Sequence, residues 1–289
     1  MAGTTENYLL GEDQSFVRLG AVPQKTASNL GPLANLLGTW VGSRGWNLIA
    51  VPQGGKGFTL LVRPITETMT FTPVGALVPN RGGAVGTLLI PALHYDLRVA
   101  DAETNEPMHI ENGMWLLLND PPSSQVARLS TIPHGDSVLA IGSQSVIQGP
   151  PPIPNNSAFP DTGKPAPAGY TDAYQRLVTP GFLTKNPNQT LKDVIKKQKI
   201  VKTVMLSVST VPSGGIVNIP FVVQHANLTK FTSMLWIETV QVKDKTGKVS
   251  EFEQLQYSQQ ADLHFLPRFD DPKRLIMWPH ISLNTLLKQ

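Results

Sequence analysis

Met277-Trp278-Pro279-His280-Ile281-Ser282-Leu283-Asn284-Thr285-Leu286-Leu287-Lys288 closes the chain. Ile281 and Leu283 stand two apart, with polar Ser282 and Asn284 alternating beside them. That is the period of a half-buried β-strand. Trp278-Pro279 sets a histidine, His280, at the strand's entrance.

The same reading extends back along the sequence. Ile65 to Thr72 alternates cleanly, as a strand with one face buried. Further strands are expected over Gly38–Pro52, Phe58–Arg63, Val85–Pro91, His94–Val99, Met108–Leu118, Ala127–Ile132 and Ser137–Ile147. Beyond residue 200 they continue over Val201–Val211, Ile216–His225, Thr232–Lys243 and Phe252–Phe265. Turn chemistry separates them, as in Pro133-His134-Gly135-Asp136 and the hairpin Asp244 to Lys248. Many short strands at near-regular spacing indicate an all-β barrel or sandwich.

Non-strand segments are few. Gly31 to Leu37 reads as a short turn of helix, and Thr190 to Gln198 as a helix that Thr190 can cap, with Leu191, Val194 and Ile195 on one face. Residues 1–30 read as an N-terminal extension and residues 31–289 as one barrel domain. Within that domain, residues 149–190 form a proline-rich insertion, with Pro150, Pro151, Pro152 and Pro154 too stiff for a sheet interior. A surface insertion accounts for it more simply than a partner-binding polyproline segment.

Composition narrows the chemistry. The chain has 289 residues, 40% of them hydrophobic, and no cysteine. Disulfides, zinc–thiolate sites, iron–sulfur clusters and a thiolate-ligated haem are excluded. A net charge of +3 gives no electrostatic case for nucleic acid or an anionic membrane. No apolar run reaches the ~18 residues that span a bilayer, and Met1 to Asn7 lacks a secretory pattern, so a cytoplasmic protein is expected. Glu67, Glu111 and Glu238 have no spacing that suggests a glycosidase pair. No nucleophile elbow, phosphate loop or dinucleotide fingerprint occurs, and Arg81-Gly82-Gly83 reads as a turn.

Any soft-metal or haem site must use His, Met, Tyr or carboxylates, and there are only six histidines: His94, His109, His134, His225, His264 and His280. Taken alone, each of these has a structural reading. His134 sits in a turn from which it could also cap a pocket, and His109 fits a core histidine bonded to Glu111 or backbone as well as a pocket-lining one. His264, on a late strand beside Asp262, rivals His280 as a ligand.

Three patches stand in order: Leu36-Leu37-Gly38-Thr39-Trp40-Val41-Gly42, then Pro107-Met108-His109-Ile110-Glu111-Asn112-Gly113-Met114-Trp115, then Pro279-His280-Ile281 with Leu286 and Lys288 behind. In this combination the sequence resembles the nitrobindin-like haem-binding β-barrels, relatives of the fatty-acid-binding and lipocalin-type folds. The resemblance covers about half the chain as scattered segments. It implies an antiparallel up-and-down calycin-like barrel holding haem b, with His280 as the proximal iron ligand. It sets His109 across the pocket as the catalytic acid–base group, with Met108 beside it. Thr39, Trp40, Arg44 and Trp278 complete the cofactor-binding set that it suggests, Arg44 as a partner for a propionate. The ligands implied are small: nitric oxide, peroxynitrite or peroxide, with peroxidase-like or peroxynitrite isomerase activity. Phe265 to Trp278 reads as an expanded segment that departs from the family pattern. A haem-free barrel holding a fatty acid or similar molecule is the alternative. A homodimer is open if barrel closure leaves a strand edge unpaired.

Overall fold

A computed structural model gives the fold; it describes residues 28–289 except 55–56, 76, 82–85, 121–122, 164–165 and 178. The N-terminal extension, up to residue 27, lies outside the described residues, as does the Gly82-Gly83 part of the expected turn. In chain order the strands are β1 (Gly38–Pro52), β2 (Phe58–Pro73), β3 (Val78–Arg81), β4 (Thr87–Ile90), β5 (Ala92–Asp101) and β6 (Pro107–Asp120). They continue as β7 (Ser123–Ile132), β8 (Asp136–Gln148), β9 (Lys199–Asn218), β10 (Asn227–Lys243), β11 (Val249–Pro267) and β12 (Leu275–Lys288). A 3₁₀ turn covers Gly31–Leu36, and the short helices are α1 (Asp172–Arg176), α2 (Gln189–Ile195) and α3 (Pro220–His225). No helix among the described residues is long and apolar enough to cross a membrane.

Ten strands close into one antiparallel barrel in the order β1-β12-β11-β10-β9-β8-β7-β6-β5-β2, and β3 pairs with β4 as a separate hairpin. The last strand closes the ring: Trp40 pairs with Lys288 and Leu48 with Ile281 on one side of β1, while β2 pairs along the other. Barrel, not sandwich, is therefore the outcome. Closure also removes the unpaired edge that would have argued for a dimer, because no barrel strand lacks a neighbour on either side.

Strand alternation sets what the lumen contains. Ile65, Met69, Phe71, Tyr95, Trp115, Phe231, Leu235, Tyr257 and Leu286 point inward and pack as one core. An irregularity in β1 between Gly42 and Gly45 shifts the alternation, so that Trp40 faces in before it and Asn47 after it. Gly45 is required there, since a Cβ would come 2.5 Å from the Asn284 side chain. The lumen is filled: between Met69, Phe71, Tyr95, Trp115, Arg128 and Tyr257 a cavity of about 10 Å³ remains. That is room for roughly one water, not an acyl chain.

The two rims differ. At the lower rim, where β1 begins, the 3₁₀ turn plugs the barrel with Leu30, Leu33 and Leu36, all buried in the lumen core. Trp40 locks the plug by donating from Nε1 to Leu36 O at 2.7 Å. The upper rim carries the β5–β6, β7–β8 and β11–β12 turns and α3.

The proline-rich stretch is part of a strap, residues 149–198, that covers the outer wall. Its Ile153, Ala158, Tyr174, Phe182 and Leu191 form a second core with Leu48, Trp236, Phe265, Trp278, Ile281 and Leu283. Asp161 pairs with Met277 backbone to backbone. This explains why β12 is apolar on both faces: one meets the lumen, the other the strap.

Three sequence expectations change. Ile216–His225 is not one strand; β9 ends at Asn218, and Pro220 starts α3 at a helix's first turn, where its missing N–H costs nothing. Thr190 does not cap α2; the helix starts at Gln189, and Thr190 Oγ1 donates to Gly181 O at 2.9 Å. Between Phe265 and Trp278, β11 runs on to Pro267 and β12 already starts at Leu275, so strand takes up half of the segment and residues 268–274 turn between them.

If the plug carries the lower rim, Leu36→Ala should destabilise the fold by about 2–5 kcal/mol, the range for emptying a packed leucine site. Urea unfolding should show this, against a change within about 0.5 kcal/mol for the exposed Val223→Ala.

Candidate functional site at the upper rim

Inward-facing positions bring three histidines to one end of the barrel. His280 faces in from β12, His109 from β6, and His134 reaches over from the β7–β8 turn. His109 Nδ1 lies 3.2 Å from His134 Nε2, and His109 Nε2 lies 3.3 Å from Glu111 Oε2. Both other histidines are within electrostatic reach of His280: burial, then the charges of His109 and His134, push its pKa down to about 3. Its imidazole is neutral at physiological pH.

Asn47 holds the His280 ring. Its Nδ2 donates to Ser282 Oγ at 2.8 Å and lies 2.9 Å from His280 Nε2. As placed, the amide donates to both, which makes Nε2 an acceptor and leaves the ring proton on Nδ1.

Beneath the histidines lies a polar network. Glu111 and Arg128 form a buried ion pair at 2.6 Å, and both side chains are almost fully enclosed. Burial works against a charged Glu111, but Arg128, with His109 and Tyr95 adding hydrogen bonds, holds its carboxyl well below the usual range. Arg128 also donates to Ser233 at 3.1 Å and Gln259 at 2.9 Å, and Tyr95 Oη sits 2.6 Å from Ser130 Oγ. Tyr95 Oη donates to Glu111 Oε1. Both charges thus have their hydrogen-bonding capacity met, as burial demands.

A second buried carboxyl behaves oppositely. Tyr257 Oη lies 2.9 and 2.8 Å from the two Glu67 oxygens, and Asn284 Nδ2 donates at 2.9 Å. Among the described residues no cation pairs with it, so burial dominates and raises its pKa to about 7, with Asn284 and Tyr257 pulling the other way.

The remaining expected site residues fall elsewhere. Met108 is half-buried against the lumen core beside His109. Trp40 and Thr39 are at the lower rim, where Trp40 is enclosed and paired with Lys288. Lys288 is eight residues from His280 along β12, about 26 Å by strand rise. Arg44 is exposed at the β1 irregularity. Trp278 lies in the second core, its Nε1 donating to Phe265 O at 3.0 Å. His264 faces away from Ala261, the lumen-side partner of His280, and its Nδ1 is 2.8 Å from Thr229 Oγ1. A groove of about 590 Å³ lies on the outer wall of β6–β9 and takes in His94 but none of the three rim histidines, whereas another of about 470 Å³ between β1, β2, β5 and β6 is lined by Glu67 and His109.

Sequence reasoning missed Arg128 as the partner of Glu111 and His134 as the partner of His109. The signal for Arg128 was its place two residues from Val126, on the inward parity of β7. His134 left none, because its contact joins a turn to a distant strand.

Glu67 makes a pH prediction. A carboxyl raised from its ordinary 4.5 to about 7 on folding contributes stability that is full below pH ~4.5 and is lost as pH rises through about 7. Urea midpoints should fall between pH 5 and 8, and Glu67→Gln should flatten that fall by on the order of 3 kcal/mol.

Residues 29–148 match the model of the THAP4-like, heme-binding beta-barrel domain. That stretch runs from the plug through β8, and so contains His109, Glu111, Arg128 and His134 but not His280. A solved structure, that of Rv2717c from M. tuberculosis, is similar at 17% identity over 90% of this chain and 97% of that one, with a TM-score of 0.46. Comparison with curated proteins finds no match. The plug, β1 to β8 and the His109–Glu111 strand between them are thus similar to the THAP4-like, heme-binding beta-barrel domain, over less than half of the chain.

Proposed function

We propose that the upper rim binds haem b, with His280 as the iron ligand and Met108 and His109 across the pocket. The supporting observation is a neutral imidazole facing the lumen at the rim where His109, within the stretch that matches the heme-binding domain model, also lies. A metal-ligating histidine must be neutral, and the burial of His280 ensures that over the physiological range. A chain without cysteine can neither attach haem through thioethers nor ligate it by thiolate, and among the remaining ligand types the neutral His280 imidazole is the one this reading assigns to the iron.

Haem would supply an iron able to take a small ligand such as nitric oxide, peroxynitrite or peroxide. The chain's residues do the rest. Asn47 orients the His280 ring, and ligation through Nε2 requires it to give up one hydrogen bond, a cost of about 1 kcal/mol. Glu111, ionised and fixed by Arg128, orients His109, which serves as the acid–base group toward a bound ligand. The filled lumen confines the ligand to the rim and favours this reading over a fatty-acid carrier. Thr39, Trp40 and Trp278 then serve the fold, and Arg44 is retained only as a candidate for a propionate.

Hemin titration followed at the Soret band tests the assignment. Wild type should saturate near one haem per chain. His280→Ala should weaken binding at least ~100-fold, the upper end of what loss of a metal-supporting group costs, while His264→Ala should leave it unchanged. No uptake by wild type, or unchanged binding by His280→Ala, contradicts the proposal.

A further inference from the structure

The hydrogen-bonded row at the upper rim has a direction. Glu111 is ionised and can only accept, so the nitrogen facing it, His109 Nε2, must carry a proton. In neutral His109 the lone pair is then on Nδ1. That nitrogen lies 3.2 Å from His134 Nε2, which must therefore be the donor. One carboxylate thus sets the tautomers of two histidines. Exposure falls along the row: His134 is an exposed turn residue with its ring partly covered, the His109 side chain is 20% exposed, and Glu111 is 1% exposed.

We propose that His134 and His109 form a two-histidine proton relay, in which a proton taken from solvent by His134 is passed to His109 and so to a ligand in the pocket. The role of the relay rests on the haem reading above; its existence does not. The steps balance. A solvent proton adds to His134 Nδ1, His134 Nε2–H passes its proton to His109 Nδ1, and the N···N hydrogen bond reverses. His109 is then doubly protonated and can release its Nε2 proton when the ring turns from Glu111. His134 is left neutral with its proton on Nδ1.

The pair holds one extra proton readily and two poorly, because two facing N–H groups at 3.2 Å would repel. Consistent with this, burial and then the His109 charge lower the His134 pKa. The charged and titratable groups around the pair come from several strands. Glu111 (β6) and Arg128 (β7) neutralise each other. Asp136 (β8) and Glu67 (β2) feel the His109 charge, and burial raises both carboxyls. His280 (β12) stays neutral.

The test is a pH series of long-range ¹H–¹⁵N correlation spectra on the haem-free full chain, wild type and His134→Gln. His134 sits in an exposed turn, so the variant should fold, and unchanged strand resonances would verify it. At high pH both rings should show the Nε2–H tautomer. On acidification the nitrogens of both rings should move together in one transition, with the second proton at least about one pH unit lower. In His134→Gln, His109 should titrate in a single uncoupled step. With hemin bound, His134→Gln should shift the pH profile of ligand reaction, which a purely structural histidine would not do. Independent titration of the two rings in wild type, a His109 curve unaltered by His134→Gln, or His109 protonated on Nδ1 at high pH would overturn the relay. Because the spectra are taken without haem, they read the relay whether or not hemin binds.

Discussion

Glu111 and Arg128 are buried together in the lumen, and much of the upper-rim geometry follows from that pair. A lone carboxylate or guanidinium there would be prohibitively desolvated. Paired at 2.6 Å, and with Tyr95, Ser233 and Gln259 satisfying the remaining groups, both stay charged. The network links β5, β6, β7, β10 and β11, so it crosses the lumen rather than decorating one wall. Its consequence at the rim is electrostatic: an ionised acceptor under His109 fixes which nitrogen holds a proton, and that choice passes to His134.

The two ends of the barrel divide the work between them. The lower end is closed by leucines from the 3₁₀ turn and by Trp40. The middle is packed with aromatic side chains, and the cavity between Met69, Tyr95, Trp115 and Tyr257 holds only about 10 Å³. Polar and titratable side chains that are not locked in ion pairs gather above. His280, His109 and His134 meet there because strand alternation and the β1 irregularity turn Asn47 and His280 toward each other. Outside, the strap gives β12 a second apolar partner, so the strand that presents His280 is held from both faces.

The fold was legible because period-two alternation reports a half-buried strand whatever the tertiary context. Ile65–Thr72 and the last strand carried that signal plainly. It failed at Ile216–His225, where a run rich in valine and isoleucine looks extended while Pro220 in fact starts a helix. Of the candidate site, His109 and His280 could be singled out from the sequence and lie at one rim. Thr39 and Trp40 could not be placed, since a motif's order along the chain does not say which end of a barrel it occupies. Trp278 belongs to a core made by the strap, and no local pattern announces a segment that folds back over a distant wall. The His134 contact was invisible for the same reason: it is set by strand register, not by spacing in the chain.

The proposed iron site is His280 on the upper rim. X-ray diffraction from crystals grown with hemin, measured on either side of the iron absorption edge, tests it directly. The account predicts one anomalous peak per chain within coordination distance of a His280 ring nitrogen, on the side facing His109. A peak at His264 or in the outer groove beside His94, or none in crystals that otherwise show the intact barrel, would contradict it.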